Sequence, residues 1–81
     1  MTREELQPGM LVLVPRLATP SGDTIARVDS QPGESDRSVV IRRWQPFQRR
    51  WGTPDRMALH QCRPVPPTDR RLKQVARAEG R

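Results

Sequence analysis

The residues best suited to chemistry are concentrated in one segment, residues 42–51, where basic and aromatic side chains alternate. The triplet Arg-Arg-Trp occurs twice there, and every aromatic residue of the chain lies in this segment. Guanidinium groups bind carboxylates and phosphates in two-point geometry, and aromatic rings offer flat stacking surfaces. The candidate partner-binding residues are therefore Arg42, Arg43, Trp44, Arg49, Arg50 and Trp51.

This pattern allows three interpretations. The arginines can face an acidic protein, or they can follow phosphates while nucleotide bases stack on a tryptophan exposed on a strand face. In the third interpretation the rings are buried and the arginines are merely solvated. A thin core needs the area of its aromatic residues, which favours burial of the rings. The arginines are denser than solubility requires, which favours a binding role for them.

His60 and Cys62 could place two metal ligands on one face of a strand. A structural zinc site takes four ligands, and the chain has no other histidine or cysteine. A Cys–His nucleophile pair would need a pocket and an orienting group that the sequence does not indicate. There is no glycine-rich phosphate loop and no acidic metal cluster. We therefore predict structural roles for both residues.

The charge of the chain is strongly asymmetric. Its 81 residues carry a net charge of +6. Residues 1–41 hold four arginines and six carboxylates, whereas residues 42–81 hold eleven basic side chains and three carboxylates. A basic half predicts an acidic partner, which can be nucleic acid, an acidic protein or an anionic membrane surface. The longest apolar run, Met10–Val14, is far shorter than the ~20 residues that cross a bilayer, so no transmembrane span is expected.

Five short strands, separated by turn residues, are predicted around a central hairpin. The hairpin joins residues 24–29 to residues 38–44, which contain the only run of three β-branched residues. An irregular loop is predicted over residues 45–55. The other three strands are expected at residues 9–15, 56–60 and 64–66. This pattern indicates an all-β fold, a small five-stranded antiparallel SH3-like barrel over residues 9–66.

The two ends are predicted to extend this barrel. Residues 1–8 form an N-terminal turn with a capping box between Thr2 and Glu5. Residues 67–81 form a basic, partly helical tail, in which Thr68 caps a helix from Asp69 to about Glu79 and Gly80 ends it. The tail cations Arg70, Lys73 and Arg77 would share one helix face, suited to anionic lipid or an acidic subunit. The alternative is a frayed, solvated end. We expect Trp44 to plug the barrel, with a core of Val12, Val14, Ala26, Val28, Val39, Ile41, Met57 and Leu59.

Over about residues 9–66 the chain resembles the PsaE family, the SH3-like peripheral subunit of photosystem I (reaction-centre subunit IV). Four segments carry the resemblance, in the family's order and close to its spacing. They are the opening strand GMLVLV, the strand and turn IARVDSQPG, the triplet VVI followed by Arg42 and an aromatic residue, and the closing MALHQ. The chain departs from the family by a shorter loop between the third and fourth strands, by its lack of tyrosine and by the additional Arg43.

The resemblance implies a non-catalytic, cofactor-free subunit on the cytoplasmic or stromal face of a photosynthetic membrane, either the thylakoid or the cytoplasmic membrane. Such a subunit contacts the large photosystem I reaction-centre subunits and neighbouring small peripheral subunits, and helps to dock ferredoxin or flavodoxin. Arg42 matches the basic position that is implicated in ferredoxin docking. This hypothesis involves no nucleic acid. The alternative is an SH3-like nucleic-acid-binding module that uses residues 42–51.

Overall fold

A five-stranded antiparallel sheet and one short helix make up the computed structural model, which describes residues 1–16, 22–33 and 35–80. The elements are β1 (Leu11–Pro15), β2 (Asp23–Ser30), β3 (Ser38–Gln45), β4 (Arg50–Ala58), β5 (Arg63–Pro64) and helix α1 (Arg71–Ala78). The strand order is β4-β3-β2-β1-β5, and a 3-10 turn precedes β5. This arrangement confirms the predicted all-β class, a small SH3-like barrel with a partly helical tail.

Strand β1 is apolar throughout because both of its faces are buried. Alternation directs Val12 and Val14 to the inside of the barrel and Leu13 to the outside. Of the predicted core residues, Leu59 is only partly buried and the others are buried. The inner cluster comprises Leu6, Val12, Val14, Ala26, Val28, Val39, Ile41, Met57 and Cys62. The outer cluster comprises Leu13, Ile25, Trp44 and Val75.

The prediction that Trp44 plugs the barrel was wrong. Trp44 is three residues beyond Ile41, so alternation places the two side chains on opposite faces of β3. Trp44 is only 4% exposed, but it lies in the outer cluster, where Val75 of α1 packs with it. The tail helix therefore supplies a cover for the outer face that strand alternation alone did not reveal.

The irregular loop predicted over residues 45–55 was also wrong, because β3 and β4 form one long hairpin. Only the turn 46–49 separates the two strands, and Trp44 stands opposite Trp51. Pro54 is tolerated within β4 because this strand lies at the edge of the sheet. Proline and glycine in this stretch suggested a loop, but two paired tryptophans hold it in a strand.

Strand β4 ends earlier than predicted, so His60 is not in a strand. The residues Leu59–Gln61 form the 3-10 turn that leads to β5. At the N-terminus, the predicted capping box is confirmed: Arg3–Glu5 form a 3-10 turn, and the backbone N–H of Thr2 donates to Glu5 Oε1 at 3.1 Å.

Helix α1 begins two residues later than predicted, and Thr68 does not cap it. Instead, the carboxylate of Asp69 accepts a hydrogen bond from the backbone N–H of Arg71 at 2.9 Å. Gly80 ends the helix as predicted, with a φ of +77° that suits glycine. Within the described ranges, no helix combines the length and apolar character needed to cross a membrane.

Candidate functional site

The two arginines of the first Arg-Arg-Trp triplet lie on opposite faces of β3. Arg42 is on the outer face and is 40% exposed, and its Nε donates to Asp29 Oδ1 at 3.2 Å. Arg43 is 14% exposed, forms an ion pair with Asp55 and donates from Nε to the Pro15 carbonyl at 3.3 Å. Hydrogen bonds from the Arg43 side chain and from the backbone N–H of Arg56 lower the pKa of Asp55. Arg42 is therefore accessible to a partner, whereas Arg43 mainly braces the end of the barrel.

Arg27 of β2 stands directly opposite Arg42 on the outer face. Like charges at opposed positions of a sheet destabilise it, and among the described carboxylates only Asp29 is paired with either arginine. Arg56 of β4 is on the same face, opposite Val40. We call Arg27, Arg42 and Arg56 the outer-face patch. Beside it is a depression of about 390 Å³, lined by Pro8, Gly9, Arg27, Val28, Asp29 and Arg42.

Sequence reasoning missed Arg27 as a candidate. The alternation of Ile25, Arg27 and Asp29 indicates that these side chains share a face. It does not give the register of β2 against β3, which a bulge between Val28 and Ser30 helps to set. Only that register brings Arg27 opposite Arg42.

The second Arg-Arg-Trp triplet begins in the turn 46–49. Arg49 has a φ of +53° and is the only non-glycine residue of the described chain with a positive φ. For a residue with a Cβ, this conformation costs roughly 1–2 kcal/mol, and glycine adopts it readily. The next residue, Arg50, donates from Nε to Gln48 Oε1 at 2.8 Å and is exposed. This backbone conformation makes Arg49 a candidate functional residue.

The two tryptophans pack against each other edge to face, with ring centroids 5.1 Å apart and planes at 68°. Trp44 is buried, and its Nε1 donates to Gln74 Oε1 at 3.4 Å, while Gln74 Nε2 donates to the Pro46 carbonyl at 3.4 Å. Trp51 is half-buried against the outer cluster. The exposed aromatic residue is Phe47 at the tip of the turn, where burial was predicted. A four-residue turn projects Phe47 beyond the sheet, out of reach of either cluster.

A cleft of about 400 Å³ separates the turn 46–49 from α1. Arg70, just before α1, and two cations within α1 share one face, as predicted, and Arg49 faces them from the turn. Within the described part of the chain, none of the ion pairs involves these four cations. We call this the cationic cleft; its lining residues are Arg49, Arg70, Lys73, Gln74, Arg77 and Ala78.

Arg71 fastens the first turn of α1 to the barrel. Its guanidinium donates to Asp23 Oδ1 at 2.9 Å and to Asp69 Oδ2 at 2.7 Å. Hydrogen bonds from the side chain and the backbone of Arg71 lower the pKa of Asp69 to about 2. The same contact with Asp69, followed by the one with Asp23, raises the pKa of Arg71. Together with the Gln74 bridge, this ion-pair network fixes the helix beside the turn and so shapes the cationic cleft.

His60 and Cys62 do not form a joint site. His60 is exposed in the 3-10 turn, whereas Cys62 is 1% exposed in the inner cluster. Burial raises the pKa of the Cys62 thiol and so disfavours the reactive thiolate. Among the residues that the structure describes, no group of three or more His, Cys, Asp or Glu side chains could hold a metal ion.

Comparison with protein-family models, with curated proteins and with solved structures finds no match to this chain. The resemblance to the photosystem I subunit therefore rests on the order of its sequence motifs. Membership of that family stays a prediction.

Proposed function

We propose that the protein is a non-catalytic docking module that binds an acidic protein through the outer-face patch. The observation that carries this proposal is the like-charge pair of Arg27 and Arg42 at opposed positions of β2 and β3. The carboxylate of Asp29 pairs with Arg42 and leaves Arg27 without an ion pair among the described residues. Carboxylates of a partner would relieve the repulsion that remains, and the adjacent depression can receive one partner side chain.

The burial of the tryptophans favours an acidic protein over single-stranded nucleic acid. Stacking of bases requires an exposed ring beside the cations. Trp44 is buried and Trp51 is half-covered. The fully exposed ring, Phe47, belongs to the turn 46–49 and not to the strands that carry the patch.

The resemblance to the photosystem I subunit suggests a specific form of this function. In that form the partner is ferredoxin or flavodoxin, and the module sits on the large reaction-centre subunits at the surface of a photosynthetic membrane. Complementary charge accelerates the encounter and orients the partner without tight binding, which suits a carrier that must leave quickly. The SH3-like barrel, the order of the motifs and the exposure of Arg42 support this form.

The substitution Arg27→Glu tests the proposal better than a change at Arg42, because a glutamate at position 42 would repel Asp29. A glutamate at position 27 would face Arg42 as an opposite charge, which stabilises a sheet by roughly 0.2–1 kcal/mol. Between the side chain at position 27 and a carboxylate of the partner, an attraction of about 1 kcal/mol becomes a repulsion of similar size. We therefore expect roughly thirtyfold weaker binding of an acidic ferredoxin at low salt, with no loss of fold stability.

The matched control is Arg37→Glu, the same charge change at an exposed residue outside the patch. Affinity is measured by calorimetry at about 0.01 M and 1 M salt, where the Debye length falls from about 30 Å to about 3 Å. The proposal predicts that the control binds much more tightly than Arg27→Glu at low salt. Equal affinities of the two variants, or no binding of ferredoxin by the parent chain, would refute it.

A further inference from the structure

We propose that the cationic cleft between the turn 46–49 and α1 is a binding site for a small ligand with phosphoryl groups, of the diphosphate type. The cleft is separate from the outer-face patch and shares no lining residue with it. The proposal therefore goes beyond docking of an acidic protein. It follows from the charge, the shape and the backbone of the cleft.

The charge of the cleft matches a ligand with several negative charges. Four cations, Arg49, Arg70, Lys73 and Arg77, line a space of about 400 Å³. Asp69, the carboxylate just before the helix, already binds Arg71 at 2.7 Å. A single carboxylate has one charge and two oxygens, and it satisfies one guanidinium fork. A diphosphate offers more charge and more acceptor oxygens, so it can engage several of these cations at once.

The cleft has a defined shape, because side-chain contacts hold both of its walls in place. Gln74 bridges the Trp44 ring to the Pro46 carbonyl, and so holds the turn and the helix together at the cleft. Arg71 anchors the same helix to Asp23 of β2. Because both walls are fixed, the backbone positions that carry the four cations do not need a ligand to organise them.

The backbone at Arg49 provides an independent argument. The residue keeps a φ of +53°, a conformation that glycine adopts without strain. Its guanidinium is the only cation that the turn contributes to the cleft. A residue that destabilises the turn but completes a cationic site has a local reason to be there.

The decisive variant is Arg49→Gly, because it removes the guanidinium and also relieves the backbone. Inorganic pyrophosphate is titrated into the ¹⁵N-labelled full chain, with sodium chloride at matched ionic strength as the reference. We expect saturable shifts of the amides in the turn 46–49 and in α1. Arg49→Gly should weaken binding about tenfold or more, the loss expected for one charge-assisted contact. Its melting temperature should not fall below that of the parent chain.

Three further measurements distinguish the site from diffuse charge. Arg49→Lys keeps the charge and should retain part of the affinity, whereas Arg37→Gln lies outside the cleft and should bind like the parent chain. The proposal is overturned if pyrophosphate produces no saturable shifts, or if Arg37→Gln weakens binding as much as Arg49→Gly. It is also overturned if a single-stranded oligonucleotide binds the cleft and pyrophosphate does not, which would identify a nucleic-acid site. Ferredoxin binding by Arg49→Gly tests the docking function separately.

Discussion

Val75 is the residue by which α1 enters the core, and Val75→Ala measures how far the helix stabilises the barrel. Val75 is 2% exposed and packs in the outer cluster with Trp44. The substitution removes two buried methyl groups, worth about 0.8 kcal/mol each, and the cavity adds up to about 1 kcal/mol. The higher helix propensity of alanine returns about 0.5 kcal/mol. We therefore expect a net loss of about 2 kcal/mol in the free energy of unfolding.

Urea denaturation, followed by tryptophan fluorescence, gives this free energy directly. For a domain of this size, a loss of 2 kcal/mol corresponds to a fall of roughly 8–16 °C in Tm. The matched control is Val40→Ala, the same side-chain change at a half-buried position on the outer face. We expect it to cost less than about 1 kcal/mol. A loss below about 0.5 kcal/mol for Val75→Ala would refute the inference that the helix is part of the core.

Two further predictions follow from the pKa shifts. The pKa of Asp69 is lowered from 3.8 to about 2 in the folded chain, so its contribution to helix docking is complete well above pH 3.8 and is lost as the pH falls towards 2. Trp44 fluorescence should report this loss of helix docking as an acid transition. The substitution Asp69→Asn should remove the transition. An unaltered transition in that variant would contradict its assignment to Asp69. Burial raises the pKa of Cys62, so a thiol reagent should modify it slowly in the native chain and rapidly in urea. Equal rates in the two conditions would show that Cys62 is not in the core.

The barrel could be predicted because its signals are local. β-Branched residues mark β2 and β3, including the run of three in β3, and turn residues separate these strands from their neighbours. The shared face of Arg70, Lys73 and Arg77 likewise follows from helical spacing alone. Each of these inferences needs only the residues of one element.

The outer face could not be predicted because it depends on contacts between distant segments. The predicted core did not include Leu13, Ile25 or Val75. Their joint burial with Trp44 becomes visible only when α1 is placed on the sheet. Arg27 was missed for the same reason, since its importance comes from the register of β2 against β3.

The most direct test of the docking function is to map ferredoxin onto the ¹⁵N-labelled chain at low salt. We expect the largest amide shifts at Arg27, Arg42 and Arg56, and we expect them to disappear at high salt. Shifts confined to the turn 46–49 and α1, or no shifts at all, would contradict it.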